Sequence, residues 1–116
     1  MMKARIVIEQ CPNPHFQEFH CTALLSEARR QEFKRPLRDS SEKYLKLLGE
    51  KGAGLIHTLF GIAGVAEVFI SPYEITVVKG EAFDWKDIQP ETLEALKAVF
   101  AAHGMDAESV EVVGAV

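Results

Sequence analysis

The sequence predicts an α+β domain, a two-layer sandwich in which a mostly antiparallel sheet of four to five strands carries helices on one face. Three observations lead there. Two segments rich in β-branched residues, 65–70 and 74–79, flank Ser71-Pro72-Tyr73 in the pattern of a hairpin, with Pro72 presetting φ at the turn. An apolar helical stretch ending in Leu59-Phe60 runs into that hairpin through Gly61 and Gly64. Beyond it, Pro90-Glu91-Thr92 opens a helix whose apolar residues fall on one stripe, so the helices cover one sheet face and leave the other bare.

The remaining elements follow in order. Residues 4–10 alternate, with Ile6 and Ile8 on one face and Arg5 and Glu9 on the other, and read as the first strand. Cys11-Pro12-Asn13-Pro14-His15 ends it, because each proline lacks an N–H and drives the preceding residue into extended geometry. Residues 16–22 resume an extended course. A third short strand falls near 28–34, and 23–28 suits a helical turn equally well.

Asp39-Ser40-Ser41-Glu42 has the spacing of a capping box, with Tyr44, Leu45, Leu47 and Leu48 as the apolar stripe behind it. Gly49 and Gly52-Ala53-Gly54 interrupt this helix. At about 1 kcal/mol per helical glycine, two helices or one broken helix are expected, the second part carrying Leu55, Ile56, Leu59 and Phe60. A polar loop spans 79–84. The last helix starts near Pro90, whose missing N–H is harmless in a first turn. It buries Leu93, Leu96, Val99 and Phe100 and stops at Gly104. Val110, Val112 and Val113 form a short edge strand or a frayed tail.

A chain of 116 residues, 47% apolar and 26% charged, fits one globular domain over 1–116. No apolar run reaches the roughly 20 residues of a membrane helix, and the N-terminus lacks the apolar core of a secretion signal. A soluble, cytoplasmic protein is expected, with no membrane partner. The net charge of −4 is uneven: residues 1–80 hold eleven basic and nine acidic side chains, residues 81–116 two and eight. Arg29, Arg30, Lys34, Arg35 and Arg38 crowd together. Without a basic pI or interleaved aromatics they read as the solvent face of a strand and loop, and no nucleic-acid partner is expected.

Cys11, His15, His20 and Cys21 are the residues with ligating or nucleophilic chemistry at short range. Thiolate and imidazole are donors for zinc and iron, which makes Cys11, His15 and Cys21 a candidate metal set, with His20 as a substitute. Adjacent strand residues point to opposite faces, so His20 and Cys21 cannot both serve one ion without a bulge. A thiol nucleophile at Cys11 would need an oxyanion hole, and the Pro-Asn-Pro turn offers few free N–H donors. No phosphate loop, nucleophile elbow or His-Glu-x-x-His motif occurs, and no enzymatic activity is expected. Trp85 and Phe83 read as packing at the entry of the last helix.

Cys11-Pro12-Asn13-Pro14-His15-Phe16-Gln17-Glu18-Phe19 is similar to the Thr-Pro-Asn-Pro-Asn-x-x-Lys-Phe signature that opens the N-terminal domain of Nfu/NifU-type iron–sulfur scaffold proteins. The run from Gly54 through Leu55-Ile56-His57-Thr58-Leu59-Phe60-Gly61-Ile62-Ala63-Gly64-Val65 resembles that domain's Ser-Pro-Leu-Ala-x-x-Leu-Phe-x-Ile-x-Gly-Val. Val68-Phe69-Ile70, Ile75-Thr76-Val77, Trp85 and Pro90 follow its later landmarks in order. The departures are Cys11 for threonine, His15 for asparagine, Glu18 for lysine and Gly54 for proline, with a longer segment over 36–52 that adds the Tyr44-to-Leu48 helix.

The resemblance implies a stand-alone, non-enzymatic accessory domain in iron–sulfur cluster assembly or delivery, without the Cys-x-x-Cys domain that holds the cluster in complete scaffolds. It implies protein partners among assembly factors or client proteins, which would dock on the exposed sheet face or on the loop of Pro12, Asn13, Pro14 and His15. No cofactor is expected in the isolated chain; iron or an iron–sulfur cluster is the one the family would bring. A small metal-binding protein using Cys11, His15 and Cys21 is the alternative.

Overall fold

Alternating burial builds the sheet. In the strand Phe16–Cys21, Gln17, Phe19 and Cys21 are buried while Phe16, Glu18 and His20 keep partial exposure on the opposite face. The computed structural model describes residues 2–112. Its strands are β1 (Met2–Gln10), β2 (Phe16–Cys21), β3 (Gln31–Lys34), β4 (Val65–Ser71), β5 (Glu74–Lys79) and β6 (Met105–Val112). The helices are α1 (Glu42–Leu47), preceded by a 3-10 turn at Asp39–Ser41, α2 (Gly49–Phe60) and α3 (Trp85–Ala102).

The α+β class stands, but the sheet has six strands in the order β3-β4-β5-β2-β1-β6 and is mixed. Four pairings are antiparallel; β6 runs parallel to β1 from Met2↔Met105 to Glu9↔Val112. The reason lies in α3. It carries the chain beneath the sheet from β5, past β2 and β1, to the far edge, and a crossover of this kind returns a strand in the direction it left. The valines at 110 and 112 mark only the end of that strand. Its first half, Met105-Asp106-Ala107-Glu108, alternates but holds no β-branched or aromatic residue to mark it as a strand; Val113 lies outside the described residues.

Two helix expectations change. α3 begins at Trp85, not Pro90, because Ile88 is fully buried and Asp84 O accepts the N–H groups of Asp87 and Ile88. Pro90 therefore sits inside the helix, where a proline gives up one backbone bond. The buried stripe becomes Ile88, Thr92, Ala95, Leu96 and Phe100, with Leu93 and Val99 packed against its margin. The Asp39–Glu42 spacing does not become a capping box: no side-chain cap bond forms at either the 3-10 turn or α1.

The glycine-rich break resolves into two helices divided at Gly49, whose φ of +83° is a left-handed conformation that glycine adopts without strain. Gly52 stays helical because the chain is tight there. A Cβ would lie 2.8 Å from Leu48 Cβ and 3.1 Å from Leu25 O.

The core is one cluster. Ile6, Ile8, Phe19, Val68, Ile70, Ile75 and Val77 meet Leu45, Leu48, Leu55, Ile56, Leu59, Ile88, Leu96 and Phe100 on a single sheet face. Arg35 closes its end. Its guanidinium donates to the carbonyls of Phe60 (2.7 Å), Ile62 (3.1 Å) and Val65 (2.8 Å), satisfying acceptors that the end of α2 leaves open.

Candidate functional site: the Pro-Asn-Pro loop and the bare sheet face

The β1–β2 loop is fixed from several sides. Asn13 Oδ1 accepts the His15 N–H (3.0 Å), an Asx turn, and Asn13 O accepts the Phe16 N–H (3.1 Å). His15 O accepts the Lys79 N–H (2.9 Å) from the end of β5. Across the fold, the Trp85 indole Nε1–H donates to Pro14 O at 2.8 Å. The result is an exposed Pro12-Asn13-Pro14 ridge with half-buried flanks at Cys11 and His15. Trp85 thus does more than pack the helix entry: it ties the first turn of α3 to this ridge. Phe83 takes the packing role, lying over Gly64 so closely that a Cβ there would meet its Cγ at 2.6 Å.

The two cysteines are not brought together. Cys21 pairs with Ile6, and Cys11 lies beyond Gln10 at the other end of β1. At about 3.4 Å per residue, five positions separate them by roughly 17 Å. They also face opposite ways. Cys21 points into the core, where burial pushes its thiol up to about 12. The Cys11 thiol is raised too, first by burial and then by the carboxylates of Glu18, Glu9 and Glu74. Raised thiols favour the neutral form, which is neither a strong nucleophile nor a good ligand. Cys11, His15 and Cys21 therefore do not converge on one point.

His20 has different company. On the bare face its Nε2 lies 3.1 Å from Glu9 Oε1 and 3.4 Å from Glu18 Oε1, and its Nδ1 lies 3.7 Å from Glu74 Oε2. Register assembles these groups: Glu9 is opposite Glu18, and His20 is opposite Glu74. The sequence shows each residue on an outward position of its strand. It does not show which strands are neighbours, and β5 lies far from β2 in sequence.

The other histidines and the basic residues lie apart from this group. His57 is exposed on α2, and His103 Nδ1 lies 3.2 Å from Val99 O at the end of α3. The basic stretch is divided among tasks: Arg30 stacks over Phe69 at 4.5 Å, Lys34 pairs with Glu32 and Arg35 caps α2. Among the described residues no helix is long and apolar enough to cross a membrane.

Fold and site define a class: a small α+β domain with a mixed sheet, one helix layer, an open sheet face and a stiff Pro-Asn-Pro ridge tied to a tryptophan. The chain belongs to the family described as scaffold protein Nfu/NifU N terminal, whose model matches residues 6–103. Its fold is similar to the solution structure of a NifU-like protein from Saccharomyces cerevisiae, at 20% identity and a TM-score of 0.63, covering 88% of this chain and 81% of that one. It is also similar to the crystal structure of protein SAV1430 from Staphylococcus aureus, at 20% identity and a TM-score of 0.55, covering 79% and 98%. No curated protein matches the sequence significantly.

Proposed function

We propose that this domain is a non-enzymatic accessory module in iron–sulfur cluster assembly or delivery, acting in the cytoplasm by contact with assembly factors or client proteins. The Pro12, Asn13, Pro14 and His15 ridge is the docking element. The observation that carries this reading is membership of the scaffold family over residues 6–103, together with the family's Pro-Asn-Pro and Trp85 landmarks joined by one hydrogen bond. A loop already held in shape loses little conformational entropy on binding, which suits recognition. Both thiols are shifted toward the unreactive form, which does not favour a nucleophilic role for either.

The test titrates isotope-labelled protein with a purified cluster-carrying Cys-x-x-Cys domain and, separately, with apo client proteins. Resonances at 12–15 and at Trp85 are expected to shift, and Asn13→Ala is expected to weaken the response. No shift with any of these partners would refute the proposal.

A further inference from the structure

We infer that His20, Glu9 and Glu18 form a binding site for one divalent first-row transition cation on the bare sheet face, with Glu74 orienting the imidazole. The site adjoins the Pro-Asn-Pro ridge on the sheet face and does not depend on the role proposed for it.

Two of the three ligand-to-ligand edges already have the length a metal site needs. One ligand atom from each of Glu9, Glu18 and His20 lies within 4.8 Å of the other two. Metal–ligand bonds of about 2.1 Å imply ligand-to-ligand edges of about 3.0 Å in an octahedron and about 3.4 Å in a tetrahedron. The observed edges from Nε2 are 3.1 and 3.4 Å. No rearrangement of the strands is required. All three side chains are partly exposed, so water can complete the coordination.

The charge balance points the same way. Carboxylates directly opposite one another on adjacent strands repel, and Glu9 faces Glu18 across the β1–β2 ladder. Among the described residues, His20 is the one basic group within 4.0 Å of Glu9, Glu18 or Glu74. A single imidazole cannot offset three carboxylates. The Cys11 thiol, raised first by burial, is raised further by the same three carboxylates.

The ring's orientation completes the case. Nε2, hydrogen-bonded to Glu9 Oε1 at 3.1 Å, is the ring nitrogen that faces two carboxylates, so a cation taking the place of that bond's proton would meet Nε2, Glu9 and Glu18 together. A metal-bound histidine commonly turns its other ring nitrogen toward a carboxylate, and Glu74 Oε2 lies 3.7 Å from Nδ1. One imidazole with two carboxylates is a borderline donor set. It suits zinc, iron(II), manganese(II) or cobalt(II) better than calcium or magnesium, which prefer oxygen alone, or copper(I), which prefers sulfur.

The test uses tag-free protein and cobalt(II), whose visible absorption reports its ligand field, with zinc(II) as competitor. The expected result is one cobalt per chain, without sulfur-to-metal charge transfer, displaced by zinc and unchanged in Cys11→Ser. His20→Gln and the double variant Glu9→Gln, Glu18→Gln are expected to abolish binding. Glu74→Gln is expected to weaken it about tenfold or more. Circular dichroism confirms that these surface variants keep the fold. Absence of saturable binding to the wild type would overturn the site, leaving His20 as a hydrogen-bond partner of Glu9. Binding that survives the double variant, or that Cys11→Ser removes, would also overturn it.

Discussion

Replacing Trp85 by phenylalanine isolates one bond. The substitution keeps most of the half-buried aromatic body and removes the Nε1–H that reaches Pro14 O at 2.8 Å. A neutral hydrogen bond contributes about 1 kcal/mol net, and this one is solvent-accessible, so the loss should not exceed that. About 1 kcal/mol corresponds to roughly a fivefold change in a local opening equilibrium. The ridge's other bonds, Phe16 N–H to Asn13 O and Lys79 N–H to His15 O, are the natural reporters.

Amide hydrogen exchange at Phe16 and Lys79 should therefore quicken about fivefold, while the β3–β4 ladder, remote from the loop, keeps its rates. The denaturation midpoint should move only slightly. Equal acceleration throughout the molecule would mean that Trp85 supports the whole fold instead of the ridge. No acceleration at Phe16 or Lys79 would mean that the two prolines and Asn13 hold the loop unaided. Either result refutes the reasoning.

Other expectations follow from the same contacts. Arg35→Ala removes a charged donor from three carbonyls and should cost about 2–3 kcal/mol in denaturant unfolding; Arg35→Lys should recover little, since one ammonium cannot reproduce the fork. A loss below about 0.5 kcal/mol would show that water replaces the guanidinium. Glu67 and Glu32 share a hydrogen bond that, after burial, raises the Glu67 carboxyl and is the main cause lowering that of Glu32. The folded state therefore holds the Glu67 proton beyond its ordinary value of 4.5, and this group's contribution falls as pH rises through the raised value. Glu67→Gln should make stability less dependent on pH from 4.5 upward; an unchanged profile would contradict the shared proton. Iodoacetamide should modify Cys11 in the native protein and reach Cys21 only after unfolding, and comparable native rates would contradict the buried placement. Burial also lifts Cys21 from 9.0 to about 12, so stability should decline as pH climbs between those values, and less steeply in Cys21→Ala.

Much of this architecture is legible in the chain. The 65–79 hairpin, the outward alternation of β1, the division of the glycine-rich helix and the closing role of Gly104 follow from periodicity and glycine and proline chemistry. What is not legible depends on distant partners. α3 gains its first turn because Ile88 finds the core and Trp85 finds Pro14, and neither partner is visible from the local pattern around Pro90. β6 forms as an edge strand on a template, β1, so its own residues need little strand character.

The same difference separates the two candidate metal sets. Cys11, His15 and Cys21 are neighbours in sequence, but a strand sends Cys11 and Cys21 to opposite faces and ends. Glu9, Glu18, His20 and Glu74 are spread over the chain, and strand register gathers them on one face.

The parallel pairing of β1 with β6 couples the first strand of this sheet in chain order to its last. Until residues 105–112 leave the ribosome, one long side of β1 has no backbone partner and offers an adhesive border to any other extended polypeptide. A nascent chain stalled after α3 therefore presents a ready template for strand exchange, and shielding that border is a task for chaperones or for rapid completion of synthesis.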